Sequence, residues 1–190
     1  MTAKEIKDRY AAESDAGQLL LVECAEGSDA VARYYIKTSR GDWKLESRGS
    51  AFIGKNGAGK TSEGDARTPL GELRPLFAFG IKPDPGCSLP YLRIRKGIYA
   101  CDAEGANYNR IINVQDSAGV SGEKMWELSP EYDWGLQTDF NQACEYPLGS
   151  AIFVHCKGSK SWTGGCIALD RRLIRKILRT ADYGLRIYIF

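Results

Sequence analysis

The sequence contains few residues that bind metals. Its 190 residues include a single histidine, His155, and none of the six cysteines forms a C-x-x-C pair. A structural zinc site needs several Cys or His ligands at close, characteristic spacing. The composition therefore argues against a zinc site, and the sequence predicts neither a metal nor another cofactor.

The chain also lacks long apolar runs and a large net charge. No apolar stretch reaches transmembrane length, and the charged start has no apolar core of a secretory signal. The formal net charge is only +2, so no nucleic-acid partner is expected. With 43% hydrophobic residues the chain can bury a core. We expect one domain over residues 16–190, preceded by a helix or extension over residues 1–15.

Short apolar runs, separated by turn residues such as Gly27–Asp29 and Gly41–Asp42, predict a mainly β fold with a few helices, of the α+β class. A helix is expected after Asp170, its N-cap, because apolar residues recur at helical spacing from Leu173 to Leu178. The arginines around that stripe are read as a solvated helix face rather than a nucleic-acid surface. The predicted strands are 18–24, 30–37, 43–53, 91–95, 98–100, 111–114, 151–156 and 185–190.

The lone histidine and one cysteine occur in a pattern that suits nucleophilic catalysis. His155 ends an apolar run, and Cys166 directly follows Gly164 and Gly165. A nearby imidazole lowers the pKa of a thiol and takes its proton, and glycines let the backbone turn its N–H groups toward an oxyanion. We therefore predict Cys166 as nucleophile, His155 as base, and an oxyanion hole at Gly164, Gly165 and Cys166. The ordinary alternative is a structural histidine and a buried packing thiol.

Several separated segments resemble one enzyme family. Thr163–Ile167 resembles the Ser/Thr-x-Gly-Cys-hydrophobic signature of L,D-transpeptidase catalytic domains, and His155 with Gly158 matches the family's upstream histidine and glycine. Gly64–Gly71 is similar to its G-D-x-x-T-P-x-G segment, and Tyr108–Arg110 to a segment of one branch. The matches occur in the family's order and span about residues 50–190.

The resemblance implies a β-sandwich-like catalytic domain that transfers or hydrolyses acyl groups of peptidoglycan stem peptides through a Cys166 thioester. It implies an extracytoplasmic location, with any native export signal trimmed from this start, and substrate contacts at Thr163, Tyr108, Asn109 and Arg110. The last three also suit an ordinary strand entry. Many members carry Arg or Asn two positions after the cysteine, where this chain has Ala168, so a substrate contact made there is in doubt. The alternative function is a non-catalytic module that binds cell-wall peptide.

One further motif match lacks its context. Gly54–Thr61 fits the phosphate-binding pattern G-x-x-x-x-G-K-[ST]. That pattern binds phosphate only when a long helix follows it, and Gly64 and Pro69 interrupt any such helix. We therefore expect a glycine-rich surface loop and no nucleotide.

The cysteine count leaves disulfide pairing open. If Cys166 must stay reduced, five cysteines remain, so at least one more is unpaired. Reduced, buried thiols are one expectation. Cys87 and Cys101 flank a strand-like segment and are the pair expected if a disulfide forms.

Overall fold

Alternating apolar residues and frequent turns produce a mainly β protein of the α+β class, as the sequence predicted. The computed structural model describes residues 1–114 and 120–190. The helices in these ranges are α1 (Ala3–Ala11) and α2 (Arg171–Thr180), with 3-10 turns at Met125–Glu127 and Glu131–Asp133. The strands are β1 (Gln18–Cys24), β2 (Asp29–Lys37), β3 (Trp43–Phe52), β4 (Gly71–Leu73), β5 (Pro75–Gly80), β6 (Tyr91–Arg93), β7 (Ile98–Ala100), β8 (Ile111–Asn113), β9 (Glu123–Lys124), β10 (Gly135–Thr138), β11 (Phe153–Cys156), β12 (Ile167–Leu169) and β13 (Leu185–Ile189).

Within the described residues, ten strands form one curled mixed sheet in the order β4-β13-β1-β2-β3-β12-β11-β10-β5-β6. A separate three-stranded sheet has the order β8-β7-β9. In the large sheet β11 and β12 are parallel neighbours. This pairing brings the strand that carries His155 beside the strand that begins directly after Cys166.

The large sheet buries residues on both faces in this region. On one face α2 packs its apolar stripe, including Leu173 and Ile177, against side chains such as Val154 of β11. On the other face the small sheet and its neighbouring turns bury Phe153 of β11 and Cys166 in a second cluster. Each such buried apolar side chain contributes about 1.5–3 kcal/mol relative to an exposed one. The predicted catalytic residues, His155 and Cys166, therefore lie on the face of the large sheet away from α2, between two packed layers.

The N-terminal residues form a capped helix attached to the sheet. Thr2 and Glu5 form a capping box at the start of α1, and the buried Ile6 and Tyr10 pack in a third cluster with residues such as Leu19 of β1.

The cap predicted for α2 is only half right. Asp170 occupies the N-cap position of α2, but its side chain caps no N–H group and instead pairs with Lys157 at 3.1 Å.

Among the described residues, the sequence did not predict the strands β4, β5, β9, β10 and β12. Their two to six residues are too few to display a clear alternation, and β5 begins at Pro75, a residue that usually indicates a turn. Their pairing with neighbouring strands, and not a local sequence signal, identifies them. Among the described helices none is long and apolar enough to cross a membrane.

The expected disulfide between Cys87 and Cys101 is wrong. All six cysteines are free thiols. Cys87 packs against the large core, while Cys101 follows the last residue of β7 in the small sheet. The two residues flank a segment that crosses from one sheet to the other, so closeness in sequence does not bring the sulfurs together.

Candidate active site

The register of β11 and β12 places the predicted base and nucleophile on one face of the sheet. His155 pairs with Ala168, and Val154 pairs with Ile167. Side chains alternate along a strand, so Cys166, two residues before Ala168, lies on the same face as His155.

Most residues of the predicted site line one cavity of about 400 Å³. Its lining includes His155, Thr163, Gly164, Gly165 and Cys166. His155 and Cys166 are only 6% and 8% exposed, so both reactive groups lie at the bottom of the cavity. Residues separated by up to eleven positions in the sequence thus meet in a space large enough for part of a peptide.

Backbone contacts orient His155 as a base. Its Nδ1 lies 2.7 Å from the carbonyl oxygen of Cys156, and because a carbonyl only accepts, Nδ1 carries the proton and donates it. Burial lowers the pKa of His155, although the Cys156 carbonyl and the Glu131 carboxylate oppose the change. The ring of Tyr132 meets the imidazole edge-on at 5.4 Å. The imidazole is therefore neutral at pH 7, with Nε2 available to accept a proton.

The thiol of Cys166 is protonated and held by the backbone. Its Sγ accepts the N–H of Phe153 at 3.3 Å and donates to the carbonyl of Ala151 at 3.1 Å. Burial, followed by the negative charge of Glu123, raises the pKa of Cys166 to about 12. The prediction of a lowered thiol pKa is wrong for this arrangement, because the thiol hydrogen-bonds to Ala151 and not to the imidazole.

Thr163 shapes the turn before the nucleophile. Its Oγ1 donates to the carbonyl of Cys166 at 2.7 Å and accepts the N–H of Gly165 at 3.1 Å. Gly165 has φ of +149°, and a Cβ there would lie 2.9 Å from the carbonyl oxygen of Arg67. Since the Gly165 N–H is already engaged, the predicted oxyanion donors narrow to the N–H groups of Gly164 and Cys166.

The segment containing Thr68 holds this turn in place through hydrogen bonds. Thr68 is fully buried, and its Oγ1 donates to the carbonyl of Gly165 at 2.8 Å while accepting the N–H of Gly54 at 2.9 Å. Thr68 is therefore a positioning residue that the sequence analysis did not identify as part of the site. The signal was present, because Thr68 belongs to the Gly64–Gly71 segment that the sequence analysis had singled out.

Lys60 and Asp65 form an ion pair within the glycine-rich loop that precedes Thr68. Lys60 Nζ lies 2.9 Å from Asp65 Oδ1, and the lysine side chain is 2% exposed. Burial alone would raise the pKa of Asp65, but N–H donors from Thr61, Arg67 and Ser62, together with Lys60, hold it well below its usual range. Lys60, the lysine of the phosphate-binding pattern, is therefore already paired with a carboxylate. In the described chain Thr61 is followed by turns and not by a helix.

Tyr108, Asn109 and Arg110 do not line the cavity of Cys166. Tyr108 donates its hydroxyl to Glu63 at 2.6 Å. Asn109 Oδ1 accepts the N–H of Ala151 at 3.0 Å. Their hydrogen bonds fix residues that do line the cavity, whereas Arg110 is exposed and faces a different groove. The structure thus separates these three residues from Thr163, with which the sequence analysis had grouped them.

Carboxylates form much of the remaining lining. Glu123 accepts the hydroxyl of Tyr132. Glu131 rests against Gly158, where a Cβ would lie only 1.7 Å from the Glu131 Oε1, so the glycine leaves room for this side chain. These acids are isolated in the sequence and follow no motif spacing, so sequence reasoning missed them. The lining carboxylates are Glu63, Asp102, Glu123 and Glu131.

Comparisons with known proteins show limited similarity. No protein-family model matches the chain, and no curated protein matches it. Among solved structures it is similar to the helical cell shape determining protein Pgp2 from Campylobacter jejuni, with 14% identity and a TM-score of 0.48 over 98% of this chain and 54% of that one. The K307A mutant of that protein matches with 17% identity and a TM-score of 0.47, over 96% and 53%. The chain therefore spans about half the length of these structures.

Proposed function

We propose that this protein is a cysteine acyltransferase of the L,D-transpeptidase type, which acts on peptidoglycan stem peptides outside the cytoplasmic membrane. The observation that carries the proposal is the shared cavity. His155 and Cys166 lie on one face of neighbouring parallel strands and line the same space of about 400 Å³. The resemblance of the Thr163–Ile167 and Gly64–Gly71 segments to that family supports the choice of substrate and location.

The reaction begins when the thiol leaves its resting hydrogen bond. Rotation about the Cys166 side chain breaks the bond to the Ala151 carbonyl, at a cost of about 1 kcal/mol, and turns the S–H toward Nε2 of His155. The imidazole takes the proton as sulfur attacks the peptide carbonyl that follows an L-centre of the stem peptide. The N–H groups of Gly164 and Cys166 stabilise the tetrahedral oxyanion, a contribution of about 3–4 kcal/mol per donor in comparable sites.

The intermediate then collapses to a thioester. The C–N bond breaks, and the departing D-amino acid nitrogen receives the proton from His155. A second amine then attacks the thioester and completes transpeptidation, while attack by water completes carboxypeptidation. In either route His155 accepts the proton of the incoming group and the Cys166 sulfur leaves. Thr68 and Thr163 keep the turn rigid through both halves of the cycle.

A second candidate function is a non-catalytic module that binds cell-wall peptide. The raised thiol pKa and the hydrogen bond from Cys166 to Ala151 favour it, because a thiol held in this way is a poor nucleophile. A binding module requires no turnover and no covalent adduct.

Mass spectrometry separates the two functions. The protein is incubated with purified stem tetrapeptides, and both the peptides and the intact protein are weighed. We expect an acyl adduct on Cys166 and new peptide products, both lost in Cys166→Ala, because removal of a nucleophile costs up to about a millionfold in rate.

Cys156→Ala is the matched control. Cys156 is also a buried thiol, but it lies on the opposite face of β11, so its loss should leave the adduct and the products unchanged. Binding of stem peptides with neither adduct nor product would favour the binding module. Activity that depends on Cys156 would identify a different nucleophile.

A further inference from the structure

Asn109 connects two segments of the chain and does not itself line the cavity of Cys166. Its Oδ1 accepts the N–H of Ala151 at 3.0 Å, and its Nδ2 donates to the carbonyls of Phe140 and Asn141 at 2.9 and 2.8 Å. Because a backbone N–H only donates and a carbonyl only accepts, these hydrogen bonds agree on one orientation of the amide. The side chain of Asn109 therefore fixes Ala151 relative to a neighbouring loop.

Asn109 also has a backbone conformation that few residues adopt. Its φ is +56°, in the left-handed region that asparagine tolerates better than most residues with a Cβ. Glycine would adopt that conformation, but it could not form the side-chain hydrogen bonds to Ala151, Phe140 and Asn141. Asparagine meets both the backbone requirement and the side-chain requirement of this position.

Ala151, the residue that Asn109 fixes, is itself strained. It has φ of +52°, a conformation that costs an alanine free energy and that persists only where neighbouring groups impose it. In this conformation its carbonyl accepts the S–H of Cys166 at 3.1 Å. A continuous set of contacts therefore runs from Asn109, through the backbone of Ala151, to the reactive sulfur.

The hydrogen bond to Ala151 lowers the reactivity of the thiol. It stabilises the protonated form of the sulfur, whereas the thiolate is the nucleophile, and it engages the proton that His155 must receive. Within the described residues, the side chain of Asn109 bonds only to backbone groups, so its influence on the thiol passes through Ala151. The charged side chains that line the cavity are Lys60, Glu63, Asp102, Glu123, Glu131 and Lys160.

We propose that Asn109 is a positioning residue for the nucleophile, which holds the Ala151 carbonyl as the resting acceptor of the Cys166 thiol and thereby restrains its reaction. Release of that carbonyl frees the S–H to turn to His155. A role in turnover rests on the function proposed above, whereas the restraint on the thiol exists with or without a substrate.

The test measures the thiol without any stem peptide. The infrared S–H stretch of Cys166 is obtained as the difference between the protein and its Cys166→Ala variant, because a hydrogen bond to a carbonyl lowers the frequency of this stretch. Asn109→Gly keeps the left-handed backbone accessible and removes the hydrogen bond to Ala151. We expect the band to leave its wild-type position.

The same variant should change the chemistry of the thiol. Alkylation of Cys166 by iodoacetamide at pH 8, followed by mass spectrometry of the labelled peptide, should become about fivefold faster in Asn109→Gly. That factor is equivalent to about 1 kcal/mol, the contribution of one neutral hydrogen bond.

Asn141→Gly is the matched control. Asn141 is also a left-handed asparagine, with φ of +47°, and its side chain bonds to the backbone of Glu145 and Gly149 but not to Ala151. The S–H band and the alkylation rate should keep their wild-type values. Equal changes in the two variants would show that general loosening of the loop, and not the Ala151 carbonyl, releases the thiol, and would overturn the proposal.

Asn109→Asp gives a test that does not require Asn109→Gly to fold. Aspartate also tolerates the left-handed conformation and keeps an oxygen for the N–H of Ala151, so the S–H band should stay at its wild-type frequency. A band that moves in this variant would overturn the proposal, and so would a wild-type band at the frequency of a free thiol. Absence of turnover on stem peptides would instead refute the proposed function.

Discussion

Two buried polar pairs lie close to the same cavity and are satisfied in opposite ways. Lys60 and Asp65 contact each other directly, and the carboxylate also accepts backbone N–H groups. His155 and Cys166 each donate to a backbone carbonyl instead of to one another. The first pair is a closed network that holds a loop, whereas the second pair is bonded to backbone groups and leaves Nε2 of His155 available to accept a proton.

The difference shows which groups of the site can change partners during a reaction. A paired charge in a low-dielectric environment is fixed, because separating it from its partner exposes an uncompensated charge. The Cys166 thiol is held by two modest hydrogen bonds to uncharged backbone groups, one from the Phe153 N–H and one to the Ala151 carbonyl. That carbonyl belongs to Ala151, a non-glycine residue with φ of +52°, a conformation that costs free energy and recurs at functional positions. Three substitutions test the comparison.

The largest effect is expected from Asp65→Asn. The substitution leaves the Lys60 ammonium buried without a counter-charge, so the free energy of unfolding should fall by about 3–5 kcal/mol. Urea denaturation measures the change. Asp170→Asn is the control, because it breaks a comparable pair with Lys157 whose carboxylate is 53% exposed and should cost at most about 1 kcal/mol. Equal losses in the two variants would show that the Lys60–Asp65 network does not hold the loop.

A smaller effect is expected from Glu123→Gln, which keeps an acceptor for the Tyr132 hydroxyl but removes a charge that raises the pKa of Cys166. The thiol pKa should fall, and alkylation of Cys166 by iodoacetamide at pH 8 should become about tenfold faster for each unit of that fall, because the thiolate is the reactive form. Mass spectrometry of the labelled peptide gives the rate.

Glu127→Gln is the matched control for Glu123→Gln. It makes the same change four residues away, at an exposed carboxylate that does not line the cavity, and should leave the alkylation rate unchanged. If wild-type Cys166 already reacts fully below pH 8, the resting hydrogen bond to Ala151 is not the state in solution.

The smallest effect concerns acid stability. Burial holds the folded pKa of His155 below its usual 6.5, so the unfolded chain binds the proton more readily. The stability that the neutral imidazole contributes is complete above pH 6.5 and is lost as the pH falls through the folded pKa. His155→Gln cannot titrate, so its free energy of unfolding between pH 7 and 5 should fall less steeply than that of wild type, by up to about 1.4 kcal/mol per pH unit. Parallel curves would mean that the imidazole is solvated.

The features that could be predicted from the sequence are those with a local signal. Strands such as β1 and β2 and the apolar stripe of α2 follow from periodicity, and the shared cavity of His155 and Cys166 follows from motif residues close in sequence. The raised thiol pKa could not be predicted, because burial by Phe79 and the charge of Glu123 come from distant segments. For the same reason the position of Arg110, in a groove away from the nucleophile, emerges only from the fold.

The position of β13 sets the order in which the molecule can assemble. This strand lies between β4 and β1, and its parallel ladder pairs Gln18 with Leu185. The large sheet therefore has a gap in its interior until residues near the end of the chain are present, and closing that gap joins segments separated by almost the whole sequence. Such distant pairing slows folding. During synthesis, the edges of β1 and β4 remain unpaired until β13 arrives, and this interval is when the chain is most exposed to misassociation.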